Sequence, residues 1–184
     1  MEANRPFGED RDDSDVAGLD VVEALDAVES TVVDRDAAEA RMFTLAAHFA
    51  DLFAPESLKD KAGRSGAERA VLLGGEGTPK LAEFAPAAFA GRAGISTFAG
   101  QKMIADALDC RHRLPRLWSR VQAGQVRVGY ARLVARKTRH LSVEQAGFVD
   151  EQVATYADGR LAFVELCLLA VPALLRLGAE GKEA

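Results

Sequence analysis

Aromatic residues make up only 7% of this 184-residue chain, and it has a single tryptophan. With Ala and Leu abundant, that scarcity favours helix-on-helix packing over a β-sandwich. Cysteine is rarer still. Cys110 and Cys167 stand alone without C-x-x-C spacing, which argues for free, partly buried thiols in a reducing cytoplasm rather than a disulfide. Histidine is limited to His48, His112 and His140, on separate segments, so spacing assembles no metal cluster. Asp109-Cys110-Arg111-His112 reads as structural. Nothing pairs a nucleophile with a base, so no catalytic residue, metal or cofactor is expected, and the chain is not read as an enzyme.

A membrane-length apolar run is also missing. The greasiest stretch, Leu166 to Leu175, is ten residues, against the roughly 20 a bilayer span requires. It reads as a buried helix kinked near Pro172. The N-terminus, MEANRPFGEDRDDSD, lacks the apolar region of a signal peptide and reads as a disordered acidic tail over 1–15. A cytoplasmic protein with no membrane partner is expected.

Apolar content of 48% and charge of 28% are ordinary for a soluble globular chain. The length suits one core, or one core plus an arm. The expected fold is all-α: a long N-terminal amphipathic helix and a compact multi-helix bundle containing a helix-turn-helix-like unit. The long helix spans 16–54. Leu25, Val32, Ala46 and Phe53 fall on one seven-residue row, and Val28, Met42 and Phe49 on the next; Arg35 and Glu39 interrupt them. With no Gly or Pro between Leu19 and Ala54, one helix of about 50 Å is allowed. Such a helix either lies along its own domain or forms a coiled coil with a second copy or a partner protein. Pro55 stops it. Residues 55–80 read as a flexible connection, in which GGEGTPK fails the phosphate-loop pattern because Pro79 separates Thr78 from Lys80.

The helical domain follows over 81–178, with a disordered tail over 179–184. Pro86 opens a short helix that Gly94 ends; Ser96 or Thr97 caps a second, running to Cys110. Pro115 starts a third, which Gly124 closes. A fourth carries Val126, Tyr130, Leu133 and Val134 as its apolar stripe. Ser142 and Gln145 then form a capping box, with Leu141 as a staple, for a helix burying Phe148, Val149 and Val153.

Charge is the clearest functional signal. The whole chain carries −5. Yet between Gln101 and Leu141 ten Lys and Arg face only Asp106 and Asp109, a balance of +8, and no acid occurs between Arg111 and Val143. Cations without neutralising neighbours repel one another, and a phosphate backbone would relieve that repulsion. The expected phosphate contacts are Lys102, Arg111, Arg113, Arg116, Arg120, Arg127, Arg132, Arg136, Lys137 and Arg139, with DNA as the partner. The alternative is a protein-interaction or dimerisation module without nucleic-acid binding, acting through the long N-terminal helix and the apolar C-terminal one.

The central run RLPRLWSRVQAGQVRVGYARLVARKTRHLS also carries a resemblance. Arg113, Leu114, Pro115, Trp118, Gly124, Ala131, Arg132, Thr138 and Leu141 resemble an actinobacterial domain-of-unknown-function family. That family lies amino-terminal to HNH endonuclease domains and occurs in mycobacterial repeat-family proteins. The likeness covers roughly residues 20–163 and implies a targeting module of a nuclease-associated protein. The nuclease activity is not carried over, because HNH chemistry needs paired His and an organising Asn, and the only Asn here is Asn4. Beyond Phe163 the family continues with a more polar helix and an Asp-Pro element, which FVELCLLAVPALLRLGAEGKEA does not match. The expectation is a frameshift or truncation before the nuclease.

Overall fold

A computed structural model describes residues 14–54 and 68–156. The expected acidic tail up to residue 13, the connection over 55–67, the kinked apolar helix near Pro172 and the tail over 179–184 lie outside the described residues. The fold is all-α with one minimal strand pair. In order come α1 (Ser14–Ala17), α2 (Val21–Leu52), β1 (Ala70–Val71), β2 (Leu81–Ala82), α3 (Ala85–Ala93), α4 (Thr97–Arg113), α5 (Pro115–Gln122), α6 (Val128–Thr138), α7 (Val143–Val153) and a 3-10 turn, Ala154–Tyr156. By its internal contacts the chain divides into two units, residues 1–35 and 36–184.

In the first unit, Asp20 caps the start of α2. Its carboxylate accepts from the amides of Val22 and Glu23, while Glu23 accepts from the amide of Asp20. This reciprocal box satisfies helix-end donors that would otherwise lack partners. The apolar residues that follow are uncovered: Val21, Val22, Leu25, Val28 and Val33 are each at least 60% exposed.

In the second unit, the later turns of α2 bury Phe43, Ala46, Ala47 and Ala50. They join one core with Leu108, Leu114, Leu117, Val121, Val149 and Val153. Much of that core is alanine, so the helices approach closely and few large side chains are needed to fill it. Aromatic rings pack as Phe43–Trp118, Phe49–Phe53 and Phe49–Phe89, with centroids 4.7 to 5.7 Å apart. Phe148, expected in the core, is 38% exposed; Val149 and Val153 beside it are buried as expected.

Local punctuation sets the helix ends. Gly94 closes α3 in the left-handed region at φ 66°, and Ser96 caps α4 by accepting from the amide of Ala99. Pro115 opens α5. Ser142 and Gln145 form the complete capping box of α7. Between α3 and α4 the backbones meet at Gly100, where an added Cβ would lie 2.8 Å from that of Ala90.

The segment 68–80 is tied in rather than loose. Ala70 and Val71 pair antiparallel with Ala82 and Leu81. The amide of Gly75 donates to Asp109 at 2.7 Å, and the hydroxyl of buried Thr78 donates to the Gly75 carbonyl. A glycine is required at 75, because any Cβ there would collide with the Arg113 guanidinium and the Arg139 carbonyl.

Candidate nucleic-acid interface

The basic quarter occupies α4, α5 and α6, and its arginines are engaged by the protein itself. α4 has acids on the face it turns inward. Asp106, Asp109 and Arg113 lie three and four residues apart, so all three share one face, and all are fully buried. Opposite them, Arg132 and Arg136 of α6 and its C-cap Arg139 stand four and three residues apart.

Asp106 is the hub. Its Oδ2 accepts from Arg132 Nε at 2.8 Å and lies 3.6 Å from Arg136 Nε, and its Oδ1 accepts from Arg139 Nη2 at 2.8 Å. Asp109 takes Arg139 Nε at 2.6 Å, Arg113 Nη1 at 3.3 Å and the Gly75 amide. Buried carboxylates would cost several kcal/mol each if left unpaired; here every oxygen has charged or amide donors. Burial and the same two acids shift the pKa values of Arg139 and Cys110. Burial alone would lower that of Arg139, but the bonds to Asp109 and Asp106 raise it. The Cys110 thiol is raised well above the usual range, first by burial and then by the neighbouring carboxylates.

Arg113 corrects the sequence reading most sharply. It is expected to face phosphate, but its side chain is fully buried. Its guanidinium donates to the carbonyls of Thr138 at 3.1 Å, Arg139 at 3.3 Å and Leu141 at 2.6 Å. The carbonyls of Thr138 and Arg139 end α6 and that of Leu141 follows in the turn, so the cation caps the helix at its negative pole. Its Nε has no acceptor among the described residues.

The other expected contacts are scattered. Arg111 holds Asp51 through both terminal nitrogens, one at 2.8 Å, and that bond keeps the Asp51 carboxyl below its ordinary range. Beside it, burial and then the Arg111 charge lower the His112 pKa. Arg116 pairs with Glu151 at 2.8 Å, Arg127 with Asp36 at 2.9 Å, and Arg120 donates to the Ala154 carbonyl. Lys102 sits 4.2 Å over the Phe98 ring. Lys137 is exposed and pairs with no described acid.

The expected repulsion among ten cations is therefore partly cancelled. The neutralising acids come from Asp36, Asp51 and Glu151, far from the arginines in sequence, and a local charge count cannot see them. Sequence reasoning also passed over Asp150, whose carboxylate accepts from the amides of Arg116 at 2.8 Å and Leu117 at 3.0 Å and so caps α5 from α7. Its own pKa is raised, burial outweighing those two bonds. A signal existed: Asp106, Asp109 and Asp150 each sit in an otherwise apolar helical face.

Among the described residues no three His, Cys, Asp or Glu side chains converge as a metal site, and no helix is long and apolar enough to cross a membrane. Comparison with family models, curated proteins and solved structures yields no match.

Proposed function

We propose that this chain is a non-catalytic helical module that docks a partner protein through the first half of α2, and that the occupant is a basic amphipathic helix. The observation that carries this reading is the uncovered stripe of the first unit. Val21, Leu25, Val28 and Val32 follow a 4-3-4 spacing, the seam of a coiled coil, and the first three are at least 60% exposed. Isolated exposed apolar residues are common; a contiguous row at seam spacing on one helix marks an interaction surface.

Charge selects the occupant. From Asp20 to Arg35 the helix carries Asp20, Glu23, Asp26, Glu29 and Asp34 against Arg35 alone. Two copies would bring like charges together, whereas a basic helix complements them. Covering the four seam residues contributes on the order of 1.5–3 kcal/mol each. Association costs about 4–15 kcal/mol, so the docking is of moderate affinity and reversible.

DNA contact through the basic quarter is the second reading. It finds support in the positive charge left over on the outer edge of α6, and less in the arginines engaged by Asp51, Glu151 and Asp36. Membership of the HNH-associated family, resembled in the central run, belongs to the same proposal, with the module as a nuclease's non-catalytic neighbour.

The test is a labelled peptide with Leu at seam positions and Lys elsewhere, titrated with the full chain, beside its Lys-to-Glu counterpart. The basic peptide binds, the acidic one does not, and sedimentation equilibrium shows a monomer. A dimer dissolved by Leu25→Glu would assign the stripe to a second copy instead. Equal binding of both peptides, or of neither, contradicts the proposal.

A further inference from the structure

The Asp106 hub leaves charge over. Arg113, Arg132, Arg136 and Arg139 bring four positive charges to a cluster in which Asp106 and Asp109 supply two negative ones. Three of the guanidiniums lie within 4 Å of the same carboxylate, held closer together than free arginines would settle. Their inner edges are engaged. Their outer edges are open: Arg132 and Arg136 use Nε on protein acceptors, and Arg139 uses Nε and Nη2. No protein acceptor takes the remaining terminal nitrogens among the described residues. The three side chains are 25%, 47% and 29% exposed, while Asp106 beneath them is fully buried, so an approaching ligand meets cations before it meets the carboxylate.

We propose that the solvent edge of Arg132, Arg136 and Arg139 binds a phosphate oxyanion. Planar guanidiniums suit the tetrahedral oxyanion because each offers paired donors. The buried carboxylate fixes the orientation of all three before the ligand arrives, which lowers the ordering cost of binding. Spacing on α6 matters as well: residues 132, 136 and 139 fall on one helical face, so three donors reach one ligand. Lys137 and His140, both exposed at the same helix end, add no acid to oppose it. Two exposed acids in the flanking segments, Glu76 of the glycine turn and Glu144 of α7, form no ion pair with the cluster among the described residues. This site is independent of the α2 stripe and stands or falls without it.

The phosphate has two sources, a nucleic-acid backbone or a free polyphosphate, and two arms distinguish them. The arginine Nε–Hε resonances of the full-length protein are followed while inorganic pyrophosphate is added in one arm and a short duplex DNA in the other. The resonances of Arg132, Arg136 and Arg139 should shift together and saturably, while that of exposed Arg92 on α3 stays fixed. Response to DNA alone assigns the site to the backbone; response to pyrophosphate alone assigns it to a free polyphosphate. Arg136→Gln, which leaves Asp106 its two shorter partners, weakens binding about tenfold, one charge-assisted contact's worth. The proposal is overturned if none of the three resonances moves in either arm, or if Arg136→Gln binds as tightly as the wild type.

Discussion

Replacing Arg113 with alanine separates scaffold from surface charge. The substitution removes a side chain with no solvent exposure that donates to the carbonyls of Thr138 and Leu141, 3.1 and 2.6 Å away. The Thr138 carbonyl keeps the Leu141 amide at 3.0 Å, but the part-buried Leu141 carbonyl loses its guanidinium donor, which costs about 1–3 kcal/mol. Losing the two buried methylenes beyond Cβ adds roughly 0.8 kcal/mol each. Against this stands relief from burying a guanidinium, several kcal/mol in the opposite direction. Asp109 keeps Arg139 Nε and the Gly75 amide, so it is not stranded. That relief offsets part of the sum, leaving an expected net loss of about 2–3 kcal/mol. That is a large share of the roughly 5–15 kcal/mol that holds a domain together. The companion variant is Arg116→Ala, which breaks a pair whose members are 59% and 52% exposed, and such pairs contribute about 0–1 kcal/mol. Urea unfolding followed by far-UV ellipticity gives both values, provided the two slopes agree. Were the two variants to fall within about 1 kcal/mol of each other, the assignment of Arg113 to the scaffold would be refuted.

Four further outcomes follow from the packing and the local charges. Gly100→Ala should destabilise by about 1–2 kcal/mol despite its better helix propensity, because its Cβ meets that of Ala90 at 2.8 Å. Gly91→Ala on the facing helix has open space and should stabilise by about 0.5–1 kcal/mol; thermal melts of the pair that share a sign would count against the α3–α4 geometry. Cys110, buried and with its thiol pKa raised, should resist a maleimide at mildly alkaline pH in the native protein and react in urea, as mapped by peptide mass spectrometry; native labelling at position 110 would contradict its burial. His112 has its pKa lowered in the fold, so the folded state binds fewer protons than the unfolded chain. Its contribution is complete above the ordinary imidazole value of about 6.5 and is lost as pH falls from there through the lowered folded value. His112→Gln should flatten the decline in stability over that window, and an unchanged profile would show that the imidazole is not the group responsible.

The elements that sequence announces are those set by local chemistry. Pro86, Gly94, Ser96, Pro115, Gly124 and the Ser142–Gln145 box each act within a turn of their own position, and the helix ends follow them. Side-chain partnerships are another matter. Arg111 finds Asp51 across 60 residues and Arg116 finds Glu151 across 35, distances over which no spacing rule operates. Gly74 and Gly75 read as loose linker because glycine loosens an isolated chain, yet here the missing Cβ admits Asp109 and Arg113 to the backbone. Phe148 carried the opposite error: an apolar residue on a buried-looking helix faces outward because Val149 and Val153 already fill the core side. The heptad rows of α2 were legible throughout, but nothing in them shows that the core covers only the later turns.

The most direct test of the account is the affinity of the basic Leu/Lys helical peptide for the wild-type chain and for Leu25→Glu, measured by anisotropy under identical salt. Leu25 is 64% exposed, so its loss leaves the core intact. Removing its burial in the complex costs about 1.5–3 kcal/mol, a drop of at least roughly tenfold in affinity. A Leu25→Glu chain that bound the peptide as tightly as the wild type would contradict the claim that α2 is where this protein meets its partner.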